Sequence, residues 1–126
     1  MGVSNLISPK LRLILLSHGI KHGSMPKADF YVDCRCVADP LRGGETSLGG
    51  GIKFIEKFSH QTLATIQFMI SDAIELIPAR RHEKTDPFAD PFIICFFCAH
   101  GMHRSPAVKH IMSRKLLADG YKVEIK

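Results

Sequence analysis

From Phe92 to Phe97 the chain runs through apolar residues without a polar break. A short unbroken run of this kind predicts a buried central strand. Leu11–Leu16 predicts another strand and Asp29–Val37 a third. In the third, period-2 geometry groups Phe30, Val32, Cys34 and Cys36 on one face, with Tyr31, Asp33 and Arg35 on the other. Asp39-Pro40 ends it. Tyr121–Lys126 alternates and predicts a half-exposed strand.

Two stretches have the helical period instead. Over Ile52–Ile77, the residues Leu63, Ile66, Met69, Ile70, Ala73, Ile74 and Ile77 form one apolar stripe, and Pro78 closes it. Over Pro106–Asp119, Val108, Ile111, Met112 and Leu116 do the same. Ser105 is the expected N-cap, Pro106 the first helical residue and Gly120 the C-cap. Met1–Lys10 is expected to be a tail or edge segment. Arg42–Gly51 reads as an irregular glycine-rich loop, and Ala79–Asp90 as a polar surface connection. Strands alternating with helices predict an α/β fold. The expected form is a small three-layer domain over residues 11–126, with a mostly parallel central sheet and helical crossovers.

The length of 126 residues suits one domain with one core. No apolar run is long enough to span a membrane, and no signal-peptide pattern opens the chain. The expected compartment is the cytoplasm, with the four cysteines as reduced thiols. A net charge of +5 points to an anionic partner. The cluster Arg80-Arg81-His82 reads as a solvated part of its connection.

The candidate chemistry lies after the apolar run. Cys98-Ala-His-Gly-Met-His-Arg104 is a loop between a strand and a helix N-terminus, where free amides and the helix dipole favour an anion. Arg104 adds a planar fork that suits phosphate. In open α/β sheets ligands gather at the carboxyl ends of the strands. Three loops are expected there: Ser17–Gly23, Val37–Gly51 and Cys98–Ser105. They would bring together His18, Lys21, His22, Arg35, His100, His103 and Arg104. Ser17, Asp33, Cys98, Ala99, Gly101, Met102 and Ser105 complete the expected ligand-binding set. The expected partner is a phosphorylated small molecule, such as a phosphosugar or nucleotide. RNA is a second candidate, a homo-oligomer is compatible, and no cofactor is implied.

Two of these stretches resemble the C-terminal domain of the RNase adapter RapZ family. That family shows a Ser-Phe-Gly-x-Lys-x-Gly loop, an Ala-Asp-x-x-x-Asp-x-Arg strand and a Cys-x-Gly-Gly-x-His-Arg-Ser loop. Here they stand as Ser17-His-Gly-Ile-Lys-His-Gly23, Ala28-Asp-Phe-Tyr-Val-Asp-Cys-Arg35 and Cys98-Ala-His-Gly-Met-His-Arg-Ser105. The resemblance covers roughly Leu13 to Lys126. It implies binding of a phosphorylated amino sugar and a structured small RNA, with Lys21, Asp33, Arg35, Gly101, His103, Arg104 and Ser105 carrying over. His18 and His100 replace an aromatic residue and a glycine of the pattern, and Asp39 replaces an Asn before Pro. The family continues beyond its last strand with further basic residues. The nucleotide-binding P-loop motif of the full adapter does not occur here.

The same loop satisfies Cys-x5-Arg-Ser and so is similar to the phosphate loop of cysteine-dependent phosphatases. In that reading Cys98 attacks phosphorus, Arg104 holds the equatorial oxygens and Ser105 steadies the thiolate. Asp33 or Asp39 would protonate the leaving group. His103 occupies a position where that loop needs a small residue, which favours binding without catalysis. Simpler roles compete elsewhere. Cys95 reads as a core residue, and Cys34, Cys36 and Cys95 as core thiols rather than metal ligands. A metal held by His18, His22, His100 and His103 is the lesser alternative. His60, His82 and His110 read as surface residues, and Met69 and Met112 as core fillers.

Overall fold

In a computed structural model, which describes residues 11–76 and 91–126, the chain forms a four-stranded parallel sheet. The strands are β1 (Arg12–Gly19), β2 (Phe30–Asp33), β3 (Phe92–Cys98) and β4 (Lys122–Ile125), in the spatial order β2-β3-β1-β4. Three α-helices lie among the described residues: α1 (Leu48–Phe58), α2 (His60–Glu75) and α3 (Arg104–Ala118). This is the expected α/β class with a parallel sheet. The connections β2→β3 and β3→β4 travel the same way across the sheet, so right-handed crossovers put all three helices on one face. The core agrees: Leu13, Leu15, Ile94 and Phe96 of the sheet form one cluster with Ile55, Ile66, Ile70, Val108, Ile111 and Met112 of the helices. None of the described helices is long and apolar enough to cross a membrane.

The β1→β2 return runs the opposite way and is not a helical crossover. It carries a single 3₁₀ turn, Ile20–His22. Tyr31 ties the segment down: its hydroxyl donates to the Pro26 carbonyl at 2.7 Å and accepts the Ala28 N–H at 2.9 Å.

Several elements differ from the sequence pattern, each for a local reason. β1 extends through Gly19 because Ser17, His18 and Gly19 still pair with Phe96, Phe97 and Cys98. β2 stops at Asp33, whose carboxylate accepts the Arg35 N–H and turns Cys34–Cys36 into a 3₁₀ turn. Cys34 is therefore buried and Cys36 exposed, and the two thiols do not share a strand face. The expected helix over Ile52–Ile77 is two helices broken at Ser59. That residue leaves helical geometry (φ −135°, ψ 29°), and its hydroxyl accepts the Ala38 N–H at 2.8 Å. Met69 is 49% exposed rather than part of the stripe, whereas Met112 is fully buried.

The stretch Arg42–Gly51 is more ordered than its glycines suggest. Asp39 caps a 3₁₀ turn at Pro40–Gly43, and Ser47 caps α1 by accepting the Gly50 N–H at 3.0 Å. Gly51 packs against Pro40 and Ala107, where even a Cβ would touch at 3.6–3.9 Å. After α3, Gly120 adopts φ 95°, and the N–H groups of Gly120 and Tyr121 return to the Leu117 and Leu116 carbonyls, a Schellman cap. The expectations for Met1–Lys10, Ile77, Pro78, Ala79–Asp90 and Arg80-Arg81-His82 lie outside the described residues.

The two methionines provide a test of this packing. Met112→Ala opens a cavity and should cost about 2–5 kcal/mol, while Met69→Ala should stay within about 0.5 kcal/mol. Urea unfolding of both variants measures the contrast, and equal losses would contradict the burial assigned to α2.

Candidate functional site

The carboxyl ends of β1 and β3 meet with almost no space between their backbones. A Cβ on Gly19 would fall 2.3 Å from the His100 carbonyl carbon, and one on Gly101 would fall 2.5 Å from the Gly19 nitrogen. Gly101 also has φ 74°, a conformation that side chains rarely adopt. These two glycines let the loop after β3 lie directly on the end of β1. A backbone bond continues the union, with Lys21 N–H donating to the Ala99 carbonyl at 3.0 Å. His18 braces the other side of its loop, its Nε2 donating to the Gly23 carbonyl at 3.1 Å.

Inside the loop sits the Cys98 thiol, on the core face and only 3% exposed. It donates to Ser105 Oγ at 3.2 Å and accepts the Gly101 N–H at 3.2 Å. Burial pushes this thiol up. The Ser105 hydroxyl, the Ser105 and Gly101 amides and the Arg104 charge outweigh that and hold it below its ordinary value. Ser105 is thus not the helix N-cap. It is a fully buried residue of the first turn whose hydroxyl turns inward to the thiol. His103 occupies the cap position and makes no side-chain cap bond, so α3 begins at Arg104.

The second loop joins through the two arginines. Arg104 Nη1 donates to the Arg35 carbonyl at 3.3 Å. Arg35 grips Asp33 with two side-chain bonds, Nε to Oδ1 at 2.9 Å and Nη2 to Oδ2 at 2.7 Å. Its guanidinium also lies over the Phe97 ring, 5.6 Å from the centroid. The hydrogen bond from Arg35 holds the Asp33 carboxyl below the usual carboxylate range, against a smaller opposing effect of burial. Asp39, the other candidate acid, accepts the Leu41 N–H at 3.1 Å. Both carboxylates are therefore engaged, and Asp33 is charged at neutral pH.

The structure brings together the loops that carry Lys21, Arg35 and Arg104, around Gly101. Lys21, His22, His100 and Met102 are exposed, while Ala99 and His103 are half-buried. Ser17 lies in β1 on the helix-facing side, where its hydroxyl accepts from Lys109 Nζ at 3.2 Å. Sequence reasoning missed Lys109. It lies in the buried part of α3, 8% exposed, and also donates to the Lys126 carbonyl at 2.9 Å. Burial pushes its ammonium pKa down. The available signal was a lysine one helical turn after Ser105, between Val108 and Met112 on the apolar stripe. Among the described residues no three of His, Cys, Asp and Glu are gathered as a metal site.

The family model for the RapZ C-terminal domain matches residues 11–126. A nucleotide-binding protein of Clostridioides difficile (strain 630) is 26% identical over 127 residues, covering 92% of this chain and 41% of that protein. A nucleotide-binding protein of Alkaliphilus oremlandii (strain OhILAs) is 28% identical over 120 residues, covering 92% and 40% respectively. The chain thus spans about two fifths of the length of these relatives.

The Asp33–Arg35 pair predicts a pH dependence of definite sign. Because the folded pKa of Asp33 lies below its ordinary 3.8, its stabilisation is complete above that value. It is lost as pH falls through the folded value. Both side chains are about half exposed (46% and 51%), so solvent screening keeps the contribution small. Carboxyl-carbon NMR should place the Asp33 midpoint below 3.8, and Arg35→Gln should move it back up. A wild-type midpoint above the ordinary value would show that the pair does not hold in solution.

Proposed function

This chain belongs to the RapZ C-terminal domain family, and from that membership and the loop geometry we propose that it is a non-catalytic binding domain for a phosphorylated small molecule. Residues 11–126 act as one domain in this reading. The observation that carries it is the loop Cys98–Ser105 at the N-terminus of α3, with Arg104 braced by the Arg35 carbonyl. Free helix amides, the dipole and a guanidinium are the groups that recognise a phosphate. Lys21, Arg35, His103 and Arg104 supply the surrounding positive and hydrogen-bonding groups. The relatives' description as nucleotide-binding proteins supports a ligand of the phosphosugar or nucleotide type. Four unpaired thiols support a cytoplasmic setting.

The alternative is a cysteine-dependent phosphatase, and one observation favours it: the Cys98 thiol is held below its ordinary pKa. Three others weigh against it. Cys98 is sealed at 3% exposure, so it needs the loop to open before it can reach phosphorus. Asp33 is committed to Arg35 through both carboxylate oxygens, and Asp39 caps its own turn at the Leu41 N–H.

Calorimetry with phosphorylated compounds and their dephosphorylated forms tests the binding reading. Phosphorylated ligands should bind more tightly, and Arg104→Ala should cost on the order of 1.5–3 kcal/mol, as for a hydrogen bond to a charged group. Wild type and Cys98→Ser should bind alike, and neither should release phosphate from an aryl phosphate. Release by wild type that Cys98→Ser abolishes would establish the phosphatase instead.

RNA binding is the second part of the proposal, supported by family membership and the net charge of +5. In a gel-shift salt series, log K should fall with log salt at a slope near −0.7 for each single-strand phosphate contact. A flat slope would eliminate an electrostatic RNA footprint.

A further inference from the structure

Helix α1 carries a feature that the anion loop does not use. In Lys53-Phe-Ile-Glu-Lys-Phe58, Ile55 is fully buried in the core. Lys53, Phe54, Lys57 and Phe58 follow at spacings of one and four residues, which set them side by side along the helix. With Glu45 and Gly50 they line a cavity of about 500 Å³. None of these residues belongs to the loop Cys98–Ser105.

The aromatic part of the groove is ordered but uncovered. Phe54 lies on Gly43, where any side chain would collide with its ring. The Phe58 ring stands 4.7 Å from that of Phe54, tilted by 51°, and Phe58 is 59% exposed. Lys57 Nζ lies 5.2 Å from the Phe58 centroid.

The charges near it favour an anion. Glu56 is spent on Arg114, at 3.4 Å. The Glu45 carboxylate lies against Gly50 in the first turn of α1, where the helix dipole offsets it. Among the described residues, Lys53 and Lys57 have no ion pair. Exposed rings flanked by such cations match a single RNA strand, whose bases stack on the rings and whose phosphates meet the ammonium groups. An acidic protein segment supplies the charge without a π-face at each unit, and a duplex keeps its base faces stacked inside.

We propose that the α1 groove is a contact surface for single-stranded RNA, with a base on Phe58 and neighbouring phosphates on Lys53 and Lys57. The inference rests on the RNA-binding part of the reading above and gives it a place apart from the anion loop.

A gel-shift salt series with a single-stranded oligouridylate tests it. The double variant Lys53→Gln/Lys57→Gln should make the slope of log K against log salt shallower by about 1.4, near 0.7 for each contact. Phe58→Ala should weaken binding at least about fivefold and leave the slope unchanged, and Phe58→Trp should retain wild-type affinity. Wild type that binds the strand no better than either variant would overturn the groove while leaving RNA binding elsewhere standing. A loss confined to the lysine variant, with polyglutamate displacing the strand, would assign the groove to an acidic protein segment instead. Wild type that binds no RNA at low salt would remove the RNA reading and the groove together.

Discussion

The site depends on a steric constraint: Gly19 and Gly101 touch where neither tolerates a Cβ. A side chain at either position would push the loop after β3 away from the end of β1. The Cys98 thiol would then lose a partner, because Gly101 also supplies the N–H that meets its sulfur. The Lys21–Ala99 backbone bond would lose its alignment as well. A close backbone approach of this kind gives rigidity without side-chain entropy cost. It explains how a loop rich in small residues can be held in one shape.

Around that contact most polar groups are committed to one another. The Cys98 thiol serves Ser105 and Gly101, Asp33 serves Arg35, and Asp39 serves the turn at Pro40–Gly43. The charges are also unbalanced in the direction an anion requires, since Asp33 lies between Arg35 and Arg104. Lys109 adds a buried ammonium below β1, with a hydroxyl and a carbonyl as its hydrogen-bond partners.

Much of this was legible in the sequence. The apolar run Phe92–Phe97, the helical stripe of α3 and the strand–loop–helix order all follow from periodicity, and the convergence of loops follows from a parallel sheet. The misses share a cause. Ser59, Ser105 and Asp33 each use a side chain on a backbone or thiol group, and those bonds decide where an element ends. Ser105 is a good N-cap by type, but its partner seven residues earlier cannot be foreseen from local spacing. The Ser59 break needs Ala38, 21 residues away. Met69 follows the helical period of α2 yet is half exposed, because the buried arc of that helix is the narrow one through Leu63, Ile66, Ile70 and Ile74, and periodicity alone does not set its width.

The departures from the family pattern also gain meaning from the register. His18 stands where the pattern has an aromatic residue, and its partner across the strand pair is Phe97. An aromatic ring on this row is thus present one strand over, nearer to Arg35. The histidine can then spend its ring on the Gly23 carbonyl, fixing the loop that carries Lys21. Phe97 stands directly before Cys98, where β3 gives way to the loop before α3. The half-buried Phe97 ring and the buried Cys98 thiol thus lie on consecutive residues of a central strand, on its two faces. Their separation is set by the chain itself, and it does not depend on the return from β1 to β2.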